Sequence, residues 1–121
     1  MEYRVAVSST DGKVVNQHFG RTEKFHILEV SEDGFHYLES RSVEACCHSG
    51  DHEIDSFYGV LKVLNDVGAI IVSKIGKGAS AFLEEKGLVI YEAPYPIEPL
   101  MEKIVRERIY EVDKWRSHTM N

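Results

Sequence analysis

The sequence predicts a three-layer α/β/α domain on a mixed sheet of about five strands. Three observations carry this expectation. Apolar residues alternate near the start, a short unbroken apolar run sits mid-chain, and apolar residues at helical spacing lie between and after them.

Residues 3–8 set Tyr3, Val5 and Val7 against Arg4, Ala6 and Ser8, then run into Ser9-Thr10-Asp11-Gly12, which reads as a strand and a turn. A loop comes next, Asn16-Gln17-His18-Phe19-Gly20-Arg21-Thr22. A strand over about 24–30 and another over about 35–42, joined by Ser31-Glu32-Asp33-Gly34, form a β-hairpin. From about residue 52, Ile54, Phe57, Tyr58, Leu61 and Leu64 fall on one helical face that ends near Gly68. Ala69-Ile70-Ile71-Val72 has the pattern of a strand buried on both sides. A short helix carrying Ala79, Phe82 and Leu83 comes after Gly76-Lys77-Gly78 and is capped by Gly87. Leu88 to Tyr91 is the last strand. Pro94 and Pro96 stiffen the next connection, and Ile97, Leu100, Met101, Ile104 and Val105 make a final helical face. The order β-β-β-α-β-α-β-α joins an antiparallel hairpin to parallel units with helices on both faces, as one domain over 1–112 and a polar tail over 113–121.

Composition narrows the function. The chain has 121 residues, is 43% hydrophobic and carries a formal net charge of -6, which disfavours nucleic acid and anionic membranes. No apolar stretch approaches the roughly 20 residues that span a bilayer. Met1-Glu2-Tyr3-Arg4 leads directly into the first strand, so a cytoplasmic location is expected, with Cys46 and Cys47 as free thiols. No dinucleotide fingerprint, Walker loop, H-E-x-x-H or paired C-x-x-C occurs, and Glu84-Glu85 reads as a solvated helix face. The expectation is a protein that holds something rather than an enzyme. Catalysis would require a cleft assembling Asp11, His18 and Ser73 or similar groups.

Three places can bind. His18-Phe19-Gly20 offers an imidazole on a loop at a strand end, with Phe19 as a core anchor and Gly20 allowing a tight turn. Cys46-Cys47-His48, with Asp51 and His52 close behind, offers donors suited to iron, iron–sulfur or zinc centres. The alternative there is a loop with incidental thiols, and Asp51 also reads as a helix N-cap. Gly76-Lys77-Gly78 precedes a helix whose first N–H groups, with Lys77 and with Ser73 and Lys74 from the same loop, suit an anionic group. Its alternative is a tight connection that needs glycines. Phe25, Phe57, Phe82 and Tyr91 read as packing, and Trp115 as an edge cover or a partner surface.

Two segments together resemble the dinitrogenase iron–molybdenum cofactor biosynthesis domain family. One is Arg4-Val-Ala-Val-Ser-Ser-Thr-Asp-Gly with Val15-Asn-Gln-His-Phe-Gly-Arg-Thr-Glu-Lys-Phe25. The other is Gly68-Ala-Ile-Ile-Val-Ser-Lys-Ile-Gly-Lys-Gly-Ala79 through Leu83-Glu-Glu-Lys-Gly-Leu-Val-Ile-Tyr91. The likeness covers roughly residues 4–105. It implies a ribonuclease H-like fold without nuclease activity and a role as carrier, chaperone or store for the iron–molybdenum cofactor or its iron–sulfur precursor, alongside metallocluster-assembly proteins. The histidine of the H-F-G motif maps to His18, and the glycine-bearing segment maps to Ser73 through Ala79. Phe19, Gly20, Arg21, Ser73, Lys74, Gly76, Lys77 and Gly78 are then the cofactor-contacting candidates. His18, Cys46, Cys47 and His48 are the metal-ligating ones, although the Cys46-Cys47-His48 segment has no counterpart in the family pattern. Related proteins in organisms that do not fix nitrogen leave molybdenum open. The rival expectation is a regulatory or interaction module without a bound cluster.

Overall fold

The computed structural model describes residues 3–43 and 53–107, with side chains of the first helix described from Phe57 onward. Cys46, Cys47, His48, Asp51, His52 and Trp115 lie outside the described residues. In chain order the elements are β1 (Tyr3–Ser8), a 3₁₀ turn (Phe19–Arg21), β2 (Lys24–Ser31), β3 (Gly34–Ser42), α1 (Glu53–Val63), β4 (Ala69–Val72), α2 (Lys77–Glu85), β5 (Val89–Glu92) and α3 (Ile97–Arg106). The strands form a five-stranded sheet in the order β3-β2-β1-β4-β5. β2 is antiparallel to β1 and β3, whereas β4 is parallel to β1 and β5 to β4, so β2 alone runs against the other four.

Alternation decides which side chains face which layer. Val5, Val7, Leu28, Val30, Ala69, Ile71 and Val89 pack with Ile97, Met101 and Ile104 of α3. Ala6, Phe25, Ile27, Ile70 and Val72 turn the other way, against Phe57 and Val60 of α1, Leu64 just beyond it, and Ala79 and Leu83 of α2. Helices therefore cover both faces, and the three-layer expectation holds. Every residue of β4 is buried, as its unbroken apolar run requires. In β3 the pairing shifts from Ile27↔Glu39 to Leu28↔Tyr37, which leaves Leu38 as an extra residue packed toward the α1–α2 side.

The α2 terminus is read directly from sequence. Gly87 has φ 95°, Gly87 N–H donates to Glu84 O at 3.0 Å, and Leu88 N–H donates to Leu83 O at 3.1 Å. This is a Schellman closure in the left-handed conformation that glycine adopts without strain, with Leu83 and Leu88 meeting in one cluster. Tyr58 departs from expectation. It is 51% exposed while Val60 is buried, because the buried stripe runs through Phe57, Val60 and Leu64, with position 58 about 100° round from Phe57 on the side away from the other two. The Tyr58 ring instead meets Phe82 edge-on at 5.0 Å.

One ionic knot ties the sheet to the segment after α1. Asp66 accepts from Arg41 Nη1 at 2.5 Å and Arg41 Nη2 at 2.9 Å, and also from Arg4 Nη1, while Arg41 Nη1 reaches Val63 O at 3.0 Å. The Arg41 hydrogen bonds hold the Asp66 carboxyl well below the usual carboxylate range. An unfolded Asp titrates near ~3.9, so the stabilisation is complete above that pH and is lost as the pH falls. Denaturant titrations between neutral pH and pH ~2 should show a shallower acid loss of stability in Asp66→Asn than in wild type, from a lower starting stability at neutral pH. Equal acid slopes in the two proteins would contradict this assignment.

Candidate functional site

The parallel strands β1, β4 and β5 end at Ser8, Val72 and Glu92, all on one edge of the sheet. The long loop of residues 9–23 crosses that edge and is fastened to the segments leaving β4 and β5. Val15 N–H donates to Tyr95 O at 3.0 Å, Ile97 N–H donates to Lys13 O at 2.8 Å, and Val14 bridges Pro96. Further along, Ser73 N–H donates to Gln17 O at 3.0 Å, Phe19 N–H donates to Lys74 O at 2.8 Å, and His18 bridges Lys74 in parallel. The loop thus behaves as a short extra strand across the strand ends, and it brings the H-F-G loop and the glycine-bearing loop side by side.

His18 sits at the centre of this stitching. Its carbonyl accepts from Arg21 N–H at 3.0 Å and from the Thr22 hydroxyl at 2.8 Å. Its backbone is extended, with φ -71° and ψ 146°, and its side chain is exposed. The next residue is the anchor. Phe19 is 2% exposed, with ring centroids 6.5 Å from Phe25 and 6.1 Å from Phe57. Gly20 occupies the middle of the 3₁₀ turn, and Arg21 ends it as an exposed cation. An anchored backbone thus presents an imidazole outward.

On the facing loop, Ser73 is half-buried, and Lys74, Gly76, Lys77 and Gly78 are exposed. Ile75 N–H donates to Glu92 Oε2 at 2.9 Å, tying this loop to the end of β5. Gly76 is the N-cap of α2, and no side chain caps that terminus. Neither Gly76 nor Gly78 has a positive φ, and a Cβ on either would meet nothing within 4 Å. The connection therefore does not demand these glycines, which removes the tight-turn explanation and leaves the start of α2 open to close approach. Arg21, Lys74 and Lys77 have no acidic partner among the described residues.

The last described residue before the Cys46-Cys47-His48 segment belongs to the same edge. β3 runs parallel to β1 and so ends there, and Val43 N–H donates to Glu23 O at 2.9 Å, one residue beyond Thr22. Among the described residues, no group of three or more His, Cys, Asp or Glu gathers to hold a metal ion. Asp11 is occupied locally: its carboxylate accepts from Lys13 N–H at 2.8 Å and Val14 N–H at 3.2 Å, which holds its carboxyl below the ordinary range. A groove of about 710 Å³ lined by His26, Leu28, Phe35, Tyr37, Ile97 and Pro99 lies on the α3 side and includes none of the residues singled out in the sequence as site candidates. Ser8, Thr22 and Glu92 were not foreseen. Ser8 closes a strand alternation and Thr22 stands four residues after His18, but both read from sequence as ordinary polar positions.

A family model described as dinitrogenase iron-molybdenum cofactor matches residues 1–107. The FeMo cofactor biosynthesis protein NifB of Herbaspirillum seropedicae is 36% identical over 84 residues, 69% of this chain and 16% of that protein. NifB of Frankia alni is 33% identical over 106 residues, 85% of this chain and 20% of that protein. The chain thus spans a fifth or less of these relatives' length. The crystal structure of PH0822 superposes with a TM-score of 0.64 at 18% identity, covering 86% of this chain and 91% of that one. That of mj0327 from Methanocaldococcus jannaschii gives 0.59 at 17% identity, covering 88% and 91%.

If Phe19 anchors the loop, Phe19→Ala should destabilise the fold by about 3–5 kcal/mol in denaturant titrations, the range for truncating a buried phenylalanine. It should also speed hydrogen exchange at the amides of Phe19 and Ser73, which the loop pairing protects. A loss below about 1 kcal/mol would show that the loop is held without the ring.

Proposed function

This chain belongs to the dinitrogenase iron–molybdenum cofactor family, and from that premise we propose that it binds a preformed metal–sulfur cluster and carries it, without catalysing a reaction. The cargo is an iron–sulfur or iron–molybdenum species passing between metallocluster-assembly proteins. The observation that carries the reading is the exposed imidazole of His18 on a backbone fastened on both sides, beside the uncapped start of α2. A lone structural metal ion needs about four protein donors. A preformed cluster, whose metals are already bridged by sulfide, can present an open metal position to one imidazole.

Charge supports the same reading. Metal–sulfur clusters carry net negative charge, and Arg21, Lys74 and Lys77 with the α2 N–H groups supply positive potential inside an acidic chain. Ser73, Gly76 and Gly78 let the cargo approach the backbone, and Phe19 and Gly20 set the position of His18. Cys46, Cys47 and His48 are second-choice donors, attached to the chain at Val43 on the same edge. The reversed β2 between parallel strands supports a ribonuclease H-like description of the fold. No helix among the described residues is long and apolar enough to cross a membrane, and a cytoplasmic site of action fits a reducing environment for such a cargo.

The test is anaerobic reconstitution with iron and sulfide, and separately with isolated iron–molybdenum cofactor, read by absorption and EPR. Wild type should take up cluster stoichiometrically, and His18→Ala should bind at least ~10-fold more weakly, since disturbing even a ligand's supporting partners costs that much. A comparable loss in the Cys46→Ala/Cys47→Ala double variant would make that segment a co-ligand. Well-folded wild type that takes up neither cargo would sink cluster carriage and favour the interaction module.

A further inference from the structure

Beneath the His18 loop lie two hydroxyls that the proposed binding does not by itself require. Ser8, the last residue of β1, is fully buried, and Thr22 is 1% exposed. Their oxygens are 2.7 Å apart. Thr22 Oγ1 donates to His18 O at 2.8 Å, and that bond uses its one proton. Thr22 therefore accepts at its oxygen, and Ser8 is the donor in the 2.7 Å contact; the Ser8 contact to Gln17 O, at 3.4 Å, is a long secondary one. Proton order thus runs one way, from Ser8 to Thr22 to the His18 carbonyl.

We propose that Ser8 and Thr22 are positioning residues for His18, a buried hydroxyl relay that fixes the imidazole in the orientation that receives the cargo. The inference rests on the cluster-binding reading above. The His18 carbonyl defines the peptide plane between His18 and Phe19, and so restricts the direction of the His18 Cα–Cβ bond. Backbone pairing alone does not complete the fastening. Ser73 and Lys74 hold Gln17 O and Phe19 N–H, but among the described residues the His18 carbonyl has only the Arg21 N–H besides Thr22. That donor belongs to the same short turn and moves with it. Thr22 and Ser8 link the carbonyl instead to the end of β1, whose residues Val5, Ala6 and Val7 are 0% exposed and paired on both edges. Removing the Thr22 hydroxyl leaves His18 O with the Arg21 N–H and Ser8 with the long Gln17 contact, and removing the Ser8 hydroxyl leaves Thr22 bonded to His18 O but no longer tied to β1. The relay thereby transmits the rigidity of the sheet centre to an exposed ligand, as supporting hydrogen bonds do for metal-binding histidines.

Three variants separate this from plain packing. Thr22→Val keeps the shape and removes the hydroxyl, Thr22→Ser keeps the hydroxyl and removes the methyl, and Ser8→Ala removes the outer donor while leaving the bond to His18 O. With cluster formed from iron and sulfide, Thr22→Val should bind about 10–100-fold more weakly than wild type and change the EPR line shape. Thr22→Ser should stay within about threefold and keep the wild-type spectrum, and Ser8→Ala should fall between the two. Wild-type affinity and spectrum in Thr22→Val, or equal losses in Thr22→Val and Thr22→Ser, would overturn the relay. Should Thr22→Val fail to fold, Ser8→Ala decides by the same criteria, with undiminished binding counting against. Hydrogen exchange at Phe19 N–H in the cluster-free protein should be faster in Thr22→Val and unchanged in Thr22→Ser, and unaltered exchange in Thr22→Val also overturns the proposal. Failure of cluster carriage itself has a different signature: wild type takes up nothing, or His18→Ala binds as wild type does, whatever the exchange rates show.

Discussion

The arrangement depends on β1. It is the strand at which the sheet changes sense, antiparallel to β2 on one side and parallel to β4 on the other. Such a change obliges the connections on its two sides to diverge, and open α/β sheets place ligands in the crevice that results. Here the chain leaving Ser8 cannot turn straight into a hairpin, because β2 begins only at Lys24. The residues between must cross the ends of β1, β4 and β5, and they do so fastened by main-chain hydrogen bonds. The location of His18 is thus a consequence of topology before it is one of side-chain chemistry.

That fastening explains how an exposed side chain on a loop can start from a fixed backbone. Loops are ordinarily the mobile part of a fold, since their backbone groups bond to water. In this loop Gln17 O, His18 O and Phe19 N–H all have protein partners, and Phe19 is inserted between β2 and α1. The entropy of ordering the segment is met by folding rather than by binding, the condition under which a single donor gains most from its geometry.

Much of the architecture was legible because it is written in side-chain period. The alternation at Tyr3 to Ser8, the unbroken Ala69 to Val72 and the Gly87 cap each report a local rule that tertiary structure did not override. Tyr58 was misplaced because an aromatic at the border of a wide apolar stripe satisfies the helical period and still lies outside the contact. The site was legible only in pieces. His18 and Gly76 stand out as residue types, but their loops meet through main-chain pairs between positions more than fifty residues apart, as in Phe19 to Lys74, and a backbone donor leaves no mark on sequence. Ser8 and Thr22 were missed for a related reason. A hydroxyl at a strand end or in a loop reads as solvent-facing, and only the fold reveals that these two are desolvated.

The distribution of charge bears on reversibility. The buried carboxylate Glu29 and Asp66 pair with Arg4 and His36 at the opposite end of the sheet, and Asp66 pairs also with Arg41 of β3, so that these charges secure the fold. Arg21, Lys74 and Lys77 have no such partner among the described residues, and they lie at the His18 edge alongside the carboxylates of Asp11 and Glu92 in a chain that carries -6 as a whole. Exposed cations in water each contribute little binding energy and are screened by salt. On the proposed function, a cluster would be held by the His18 coordinate bond plus this weak, screened attraction. Such a grip would suit the proposed transfer, because a partner would need to supply only a competing ligand for release, whereas a site of four protein thiolates would have to be dismantled first.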